Sequence, residues 1–245
     1  MKLAIITGAS RGIGRALALE LDRRWGKRVR FMLVARDRSA LEELKLTVQG
    51  ESVCCAADFT DPLTAVEALT GVLHELVPGQ YSRVCLVNNA GLAGPVGRLG
   101  TLDGKSVDDT VRVNITVPIL LADAVFAWIG ETAVPLSMLN VSSGAARFPI
   151  EGLTAYCASK AGLDMLAQVA AAESNADWHV VSVAPGIIET DMQRFIRSVP
   201  ADRFPMHDQF IAYKENGQLK TAEHSARELA DILEESDRGD VIRSL

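Results

Sequence analysis

Cysteine is scarce in this chain, and where it occurs excludes more than its number does. The four cysteines among 245 residues are Cys54, Cys55, Cys85 and Cys157. They form no CxxC pair and share no metal-ligand spacing with a histidine, so a structural zinc site is not expected. Neighbouring Cys54 and Cys55 would point to opposite faces of a strand, which suggests reduced thiols and a cytoplasmic protein. The four histidines, His74, His179, His207 and His224, show no metal spacing either, and no metal is expected. Basic residues are outnumbered, 25 Lys and Arg against 31 Asp and Glu, for a net charge of −6. The two signs are interspersed, and no concentrated basic footprint points to nucleic acid.

Long apolar runs are missing as well. The opening "MKLAIITGAS" has an apolar run of about five residues that leads into a glycine turn, the pattern of a strand rather than a signal peptide. The most hydrophobic stretch, "ITVPILLADAVFAWI", is interrupted by Pro118 and Asp123 and is expected to be too short to span a bilayer. There is no internal repeat, low-complexity tract or long linker.

What remains is a rhythm. Hydrophobic residues make up 48% of the chain, enough for a sizeable core in one α/β domain or two small ones. Short apolar runs at 2–6, 29–35, 52–57, 83–89, 136–143 and 179–185 alternate with amphipathic segments at 12–25, 38–49, 62–76, about 106–130 and about 155–174. Several runs are apolar on both faces, as central strands of a parallel sheet are. The alternation predicts a single doubly wound α/β domain of Rossmann type, a parallel sheet of about seven strands with helices on both faces. A helix near 221–235 and a short strand near 240–243 would complete it. Only residues 190–220, with Pro200, Pro205 and Gly217, break the rhythm. They follow the sixth strand, emerge at the carboxyl edge where ligands bind in such folds, and are expected to form a substrate loop or lid.

The first strand runs into "TGASRGIGRALALEL". Gly8, Gly12 and Gly14 permit a tight turn and close approach of a pyrophosphate, while the helix that follows offers free N–H donors and a partial positive charge. Ser10 and Ile13 of this loop are assigned to cofactor contact with the glycines. The second strand ends "LVARDRS". An acid commonly stands there in NAD sites to hold the ribose 2′-hydroxyl. Here Arg36 comes first, and Arg11 sits in the glycine loop. Two guanidinium groups suit a 2′-phosphate and favour NADP(H), with Asp37 leaving NAD(H) open. Asp58, after the third strand, has two readings, an acceptor for the adenine amino group or a helix cap, and Asp61 is better placed to cap.

In "LTAYCASKAGLDM", Tyr156 and Lys160 lie one helical turn apart and share a face. A free tyrosine, with a pKa of about 10, is a weak acid near neutrality, and a neighbouring ammonium is expected to lower it. Cys157 sits about 100° away around the helix and points elsewhere. Asn114 lies in a mostly apolar helix where asparagine costs stability, so it has a polar role or a buried hydrogen bond.

The glycine loop, "NNAG" (88–91), "NVSS" (140–143), "YCASK" (156–160) and "PGIIET" (185–190) together resemble the short-chain dehydrogenase/reductase family, in order and spacing, over residues 7–190. "VNNAGLAGPVGRL", "ETDMQ" and "ENGQLKTAEHSARELADIL" resemble more closely its sepiapterin reductase and bacterial benzil reductase branch. The resemblance implies that Ser143, thirteen residues before Tyr156, steadies the substrate oxygen. It implies that Lys160 also holds the nicotinamide ribose, and that Asn114 holds a water linking Lys160 to solvent. Asn88, Asn89, Ala90 and Gly91 would line the centre of the cofactor site, and Pro185, Gly186, Ile188 and Thr190 its nicotinamide end. The branch's C-terminal pterin-anchoring aspartate is matched here by Arg243, with Asp240 offset. An NADPH-dependent ketone or diketone reductase, assembled as a homodimer or homotetramer, is therefore expected. A face around Trp128 is a candidate subunit contact. Met192, Phe195, Met206 and Phe210 either close an apolar substrate pocket or pack within the lid. A nucleotide-sensing binding protein on the same fold is the alternative, and retention of both Tyr156 and Lys160 weighs against it.

Overall fold

In the computed structural model, Ile5 pairs with Met32 on one side and Leu86 on the other, and the same parallel register extends across the sheet. Residues 1–130, 132–174, 177–235 and 239–245 are described. The strands are β1 (Lys2–Thr7), β2 (Val29–Ala35), β3 (Glu51–Ala56), β4 (Arg83–Asn88), β5 (Leu136–Val141), β6 (Trp178–Ala184) and β7 (Ile242–Ser244). They form one parallel sheet in the order β3-β2-β1-β4-β5-β6-β7. The helices are α1 (Gly12–Trp25), α2 (Arg38–Thr47), α3 (Pro62–His74), α4 (Gly104–Val111), α5 (Val117–Ile129), α6 (Thr154–Glu173), α7 (Asp191–Ser198), α8 (His207–Glu215) and α9 (Ala222–Glu234).

Strand alternation sorts the core into two layers. Leu3, Ile5, Met32, Val34, Leu86 and Met138 pack with α3, α5 and α6 on one face. Ala4, Ile6, Phe31, Leu33, Val87 and Val181 pack with α1, α2 and α9 on the other. Cys55 and Cys54 fall on these opposite faces, and all four cysteines are free thiols. The strand order reverses between β1 and β4, which opens a crevice at their carboxyl ends.

Several boundaries differ from the expectation. Strand β5 stops at Val141, two residues early, because Ser143 already begins a turn over Gly144–Ala146. Asp61 occupies the N-cap position of α3 without making a side-chain capping bond. Asp58 instead accepts from the Thr60 N–H and hydroxyl, both at 3.0 Å. Residues 190–220 are not irregular. Thr190 accepts from the Gln193 N–H to start α7, and α8 follows, with Ile196, Phe204 and Phe210 in a third apolar cluster. Two prolines and short lengths hid these helices.

The segment Gly104–Ile129 is one helical run of 26 residues, longer than the apolar stretch suggested and, by length and composition alone, long and apolar enough to cross a membrane. It continues past Asn114 through a π turn, Arg112–Thr116, in which the Val117 N–H reaches the Arg112 carbonyl. Pro118 follows and has no N–H of its own to give. Val113, Val117, Leu121, Val125 and Ile129 commit its apolar side to the sheet. Trp128, partly buried, packs against the same core. Its Nε1 donates to the Leu76 carbonyl at 3.2 Å and its ring meets Tyr81, while the residue stays partly exposed.

Candidate active site

A cleft of about 1050 Å³ opens along the carboxyl edge of the sheet. One end is lined by Gly8, Ser10, Arg11, Gly12 and Ile13, the other by the side chains of α7 and α8.

The nucleotide end follows from backbone geometry. Gly8 and Gly12 have φ of 68° and 55°, conformations open to glycine. A Cβ on Gly8 would lie 2.8 Å from Asn89 Nδ2, and one on Gly14 would lie 2.4 Å from the Gly8 carbonyl oxygen. Gly14 does not itself line the cleft; its role is close packing beneath the loop. The first turn of α1 holds no acid and no side-chain cap, which leaves its N–H groups and positive dipole end facing the cleft. These features fit a dinucleotide's pyrophosphate. Further along, Arg36, Asp37 and Asp58 line the wall. Asp37 accepts from the Ala40 N–H at 3.0 Å and caps α2. The Thr60 backbone bond holds the Asp58 carboxyl below its ordinary pKa. Arg11 pairs with Asp191 at 3.0 Å, across the cleft from the glycine loop to α7.

Ala90, Gly91, Pro185, Gly186, Ile188 and Thr190 all line the cleft. Asn88 does not. Its Nδ2 donates to Asn140 Oδ1 at 2.9 Å inside the sheet, and Asn89 faces the cleft instead. Asn89 is fixed by its own Nδ2 donating to the Thr7 carbonyl at 2.9 Å. Strand alternation at the end of β4 was the available signal for choosing Asn89.

Ser143, Tyr156 and Lys160 converge at the middle of the cleft. Ser143 Oγ accepts from the Ala145 N–H at 3.2 Å. A hydrogen bond links Tyr156 to the Ser143 side chain and lowers the phenol's pKa, but burial dominates and raises it above its ordinary value. The expected lowering by Lys160 is not realised. Lys160 Nζ lies 5.8 Å from the Tyr156 ring centroid and donates to the Val141 carbonyl at 2.8 Å. Burial brings the Lys160 pKa down to about 8, with Asp164 acting in the opposite sense.

Asn114 sits behind this group in the π turn, fully buried. Its Oδ1 accepts from the Leu92 N–H at 2.8 Å, while Nδ2 donates to the Leu92 carbonyl at 2.9 Å and to Ser159 Oγ at 3.0 Å. The side chain is thus a clamp on the loop after β4. A Cβ on Gly91 would lie 3.5 Å from Asn114 Oδ1 and 3.6 Å from Lys160 Nζ, so the clamp and the lysine are near neighbours.

The far end of the cleft is apolar. Phe148, Pro149, Ile150, Leu153, Met192, Ile196, Met206 and Phe210 line it, joined by Tyr213. Phe195, expected with them, is half-exposed and does not line it, because it lies on the outer side of α7. Arg243 turns to Glu235 at 2.6 Å, and neither Arg243 nor Asp240 reaches the cavity. Of the charged lining residues, Arg11, Arg36, Asp37 and Asp58 belong to the nucleotide half, Lys160 sits at the middle, and Asp191 at the start of α7 is paired with Arg11.

A fold of this order, with a glycine-loop cleft and a serine, tyrosine and lysine at its centre, matches the short chain dehydrogenase family model over residues 2–200, and the chain belongs to that family. The family comprises oxidoreductases that use a nicotinamide cofactor on carbonyl or hydroxyl groups of small molecules. The chain is 31% identical over 250 residues to a benzil reductase ((S)-benzoin forming) of Bacillus cereus, covering 99% of each. It is 32% identical over 240 residues to the sepiapterin reductase of Meriones unguiculatus, covering 95% of this chain and 91% of the relative. The crystal structure of the KRED1-Pglu enzyme superposes with a TM-score of 0.86 at 28% identity over the full length of both chains.

Proposed function

We propose that this protein is an NADPH-dependent carbonyl reductase acting on uncharged ketones or diketones. The observation that carries the reading is the meeting of Ser143, Tyr156 and Lys160 where the nucleotide half of the cleft joins its apolar half. When bound, the nicotinamide supplies the hydride. Gly8, Ser10, Gly12 and Ile13 would hold its pyrophosphate, Asn89, Ala90 and Gly91 its centre, and Pro185, Gly186, Ile188 and Thr190 its nicotinamide end.

Tyr156 donates the proton to the substrate oxygen. Burial keeps the phenol protonated through neutral pH, so the donor form is fully populated. Ser143, held by Ala145 and hydrogen-bonded to Tyr156, would donate to the same oxygen and stabilise the charge that develops there. Lys160 would hold the nicotinamide ribose, and its Nζ stands 5.8 Å from the Tyr156 ring centroid. Asn114 fixes the loop beneath Gly91 and thereby the space around Lys160.

Arg11 and Arg36 support NADP(H) over NAD(H), since both face the cleft and Asp37 is engaged as a helix cap. The apolar far wall supports an aryl or alkyl carbonyl substrate, and Ile196 and Phe210 support the segment 190–220 as its lid. Exposed Val111 and Ile119 on the long helix, with Met165 and Val169 on α6, support a homodimer or homotetramer built on that face. The test is NADPH oxidation with benzil and sepiapterin side by side. Turnover of benzil with NADPH preferred over NADH is expected, and tight NADPH binding without turnover of any carbonyl would refute it.

A further inference from the structure

Ser143 leaves β5, whereas Tyr156 and Lys160 ride on α6, so catalysis requires that two elements be held in register. We propose that Arg147, through a part-buried ion pair with Asp164, is the positioning residue that fixes Ser143 against Tyr156. The proposal rests on the reductase reading above and adds a residue to it.

The segment from Ser143 to Arg147 is one hydrogen-bonded turn. The Ser143 carbonyl accepts from the Ala146 N–H at 3.0 Å, and the Gly144 carbonyl accepts from the Arg147 N–H at 3.0 Å. Anchoring Arg147 therefore anchors Ser143. The Arg147 guanidinium reaches two elements, α6 and β7. Nε donates to Asp164 Oδ2 at 3.3 Å, Nη1 to Ser244 Oγ at 2.6 Å and Nη2 to the Arg243 carbonyl at 3.0 Å. Asp164 is 6% exposed and lies one turn beyond Lys160 on the helix that carries Tyr156. Its other oxygen accepts from Ser182 Oγ on β6 at 2.6 Å. A buried carboxylate needs such partners, and a planar fork meets several acceptors where an ammonium meets fewer. The next residues after Arg147, Phe148 to Ile150, form the apolar wall, so the same anchor sets the wall's position.

The test uses Arg147→Lys, which keeps the positive charge facing Asp164 and removes the fork. It is measured in the parent and in the Ser143→Ala background, with NADPH affinity, kcat and KM determined separately. The expected result is unchanged NADPH affinity and a kcat loss on the order of 10-fold in the parent, since small misplacements of a reacting group carry losses of this size. In the Ser143→Ala background Arg147→Lys should cause no further loss. A kcat within about twofold of the parent, or an equal loss in both backgrounds, would overturn the proposal. If Arg147→Lys does not fold, the pair Arg147→Met with Asp164→Asn removes both charges and carries the same measurements. Crystal structures of the parent and variant give a readout independent of turnover: Ser143 Oγ should move away from the Tyr156 hydroxyl, and an unmoved Ser143 contradicts the proposal. A parent protein that reduces no carbonyl refutes the reductase reading, and the crystallographic comparison then decides the positioning claim by itself.

Discussion

Lys160 donates from Nζ to the Val141 carbonyl oxygen at 2.8 Å, and this bond ties the centre of α6 to the end of the strand that precedes Ser143. Burial opposes its charge and brings the pKa down to about 8 from 10.5. The sign follows directly. A lysine whose folded pKa lies below its unfolded value destabilises the fold at low pH, and the penalty is relieved as pH rises from about 8 to about 10.5. Lys160→Met should therefore abolish most turnover yet raise stability at neutral pH by about 2 kcal/mol, the gain being reduced by the lost hydrogen bond to Val141. Thermal or urea unfolding at pH 7 and at pH 10 checks this, and the gain should shrink at the higher pH.

Arg11 and Arg36 face the nucleotide half of the cleft, and Arg11 spans it to Asp191. Replacing both with alanine should weaken NADPH binding by about 10- to 100-fold and leave NADH nearly unchanged, as expected for loss of charge-assisted bonds to a phosphate. Fluorescence titration with the two nucleotides measures it. The exposed Arg11–Asp191 pair contributes little to stability, so the double variant should unfold near the parent's midpoint.

The apolar far wall predicts a preference that two nearly matched compounds test. Methyl benzoylformate and benzoylformate present the same aryl ketone, and only the second is an anion. Met192, Met206 and Phe210 offer no partner to a carboxylate, and Lys160 is turned to Val141. The ester should exceed the acid in kcat/KM by on the order of 100-fold.

Asn114 makes three hydrogen bonds with no exposure to solvent. Asn114→Leu leaves the Leu92 N–H and carbonyl without their partner and should cost about 2–4 kcal/mol of stability. Because the clamp adjoins Gly91 and Lys160, kcat should also fall, and urea unfolding with parallel kinetics separates the two effects.

Local patterns made much of this legible from the sequence. Apolar runs of strand length marked the sheet, and Tyr156 and Lys160, one turn apart, identified themselves once Ser143 and the glycine loop stood at matching separations. Other features depend on what the fold brings together. Asn88 and Asn89 are adjacent and chemically identical, and only the end of β4 decides which faces the cleft. The π turn at Asn114 depends on how the chain meets Pro118. The Lys160 pKa depends on burial beneath Val141, which no spacing reports. Arg147 and Asp164 lie seventeen residues apart and meet only because the turn after β5 folds over α6.

The central claim is that Tyr156 gives up a proton to a carbonyl oxygen. Tyr156→Phe removes one hydroxyl and preserves the ring that packs beside the apolar cluster. The decisive measurement is kcat for diketone reduction by Tyr156→Phe, with NADPH affinity determined on the same sample. The account predicts unchanged NADPH affinity and a kcat reduced by about 100-fold or more. A kcat equal to that of the parent would contradict it.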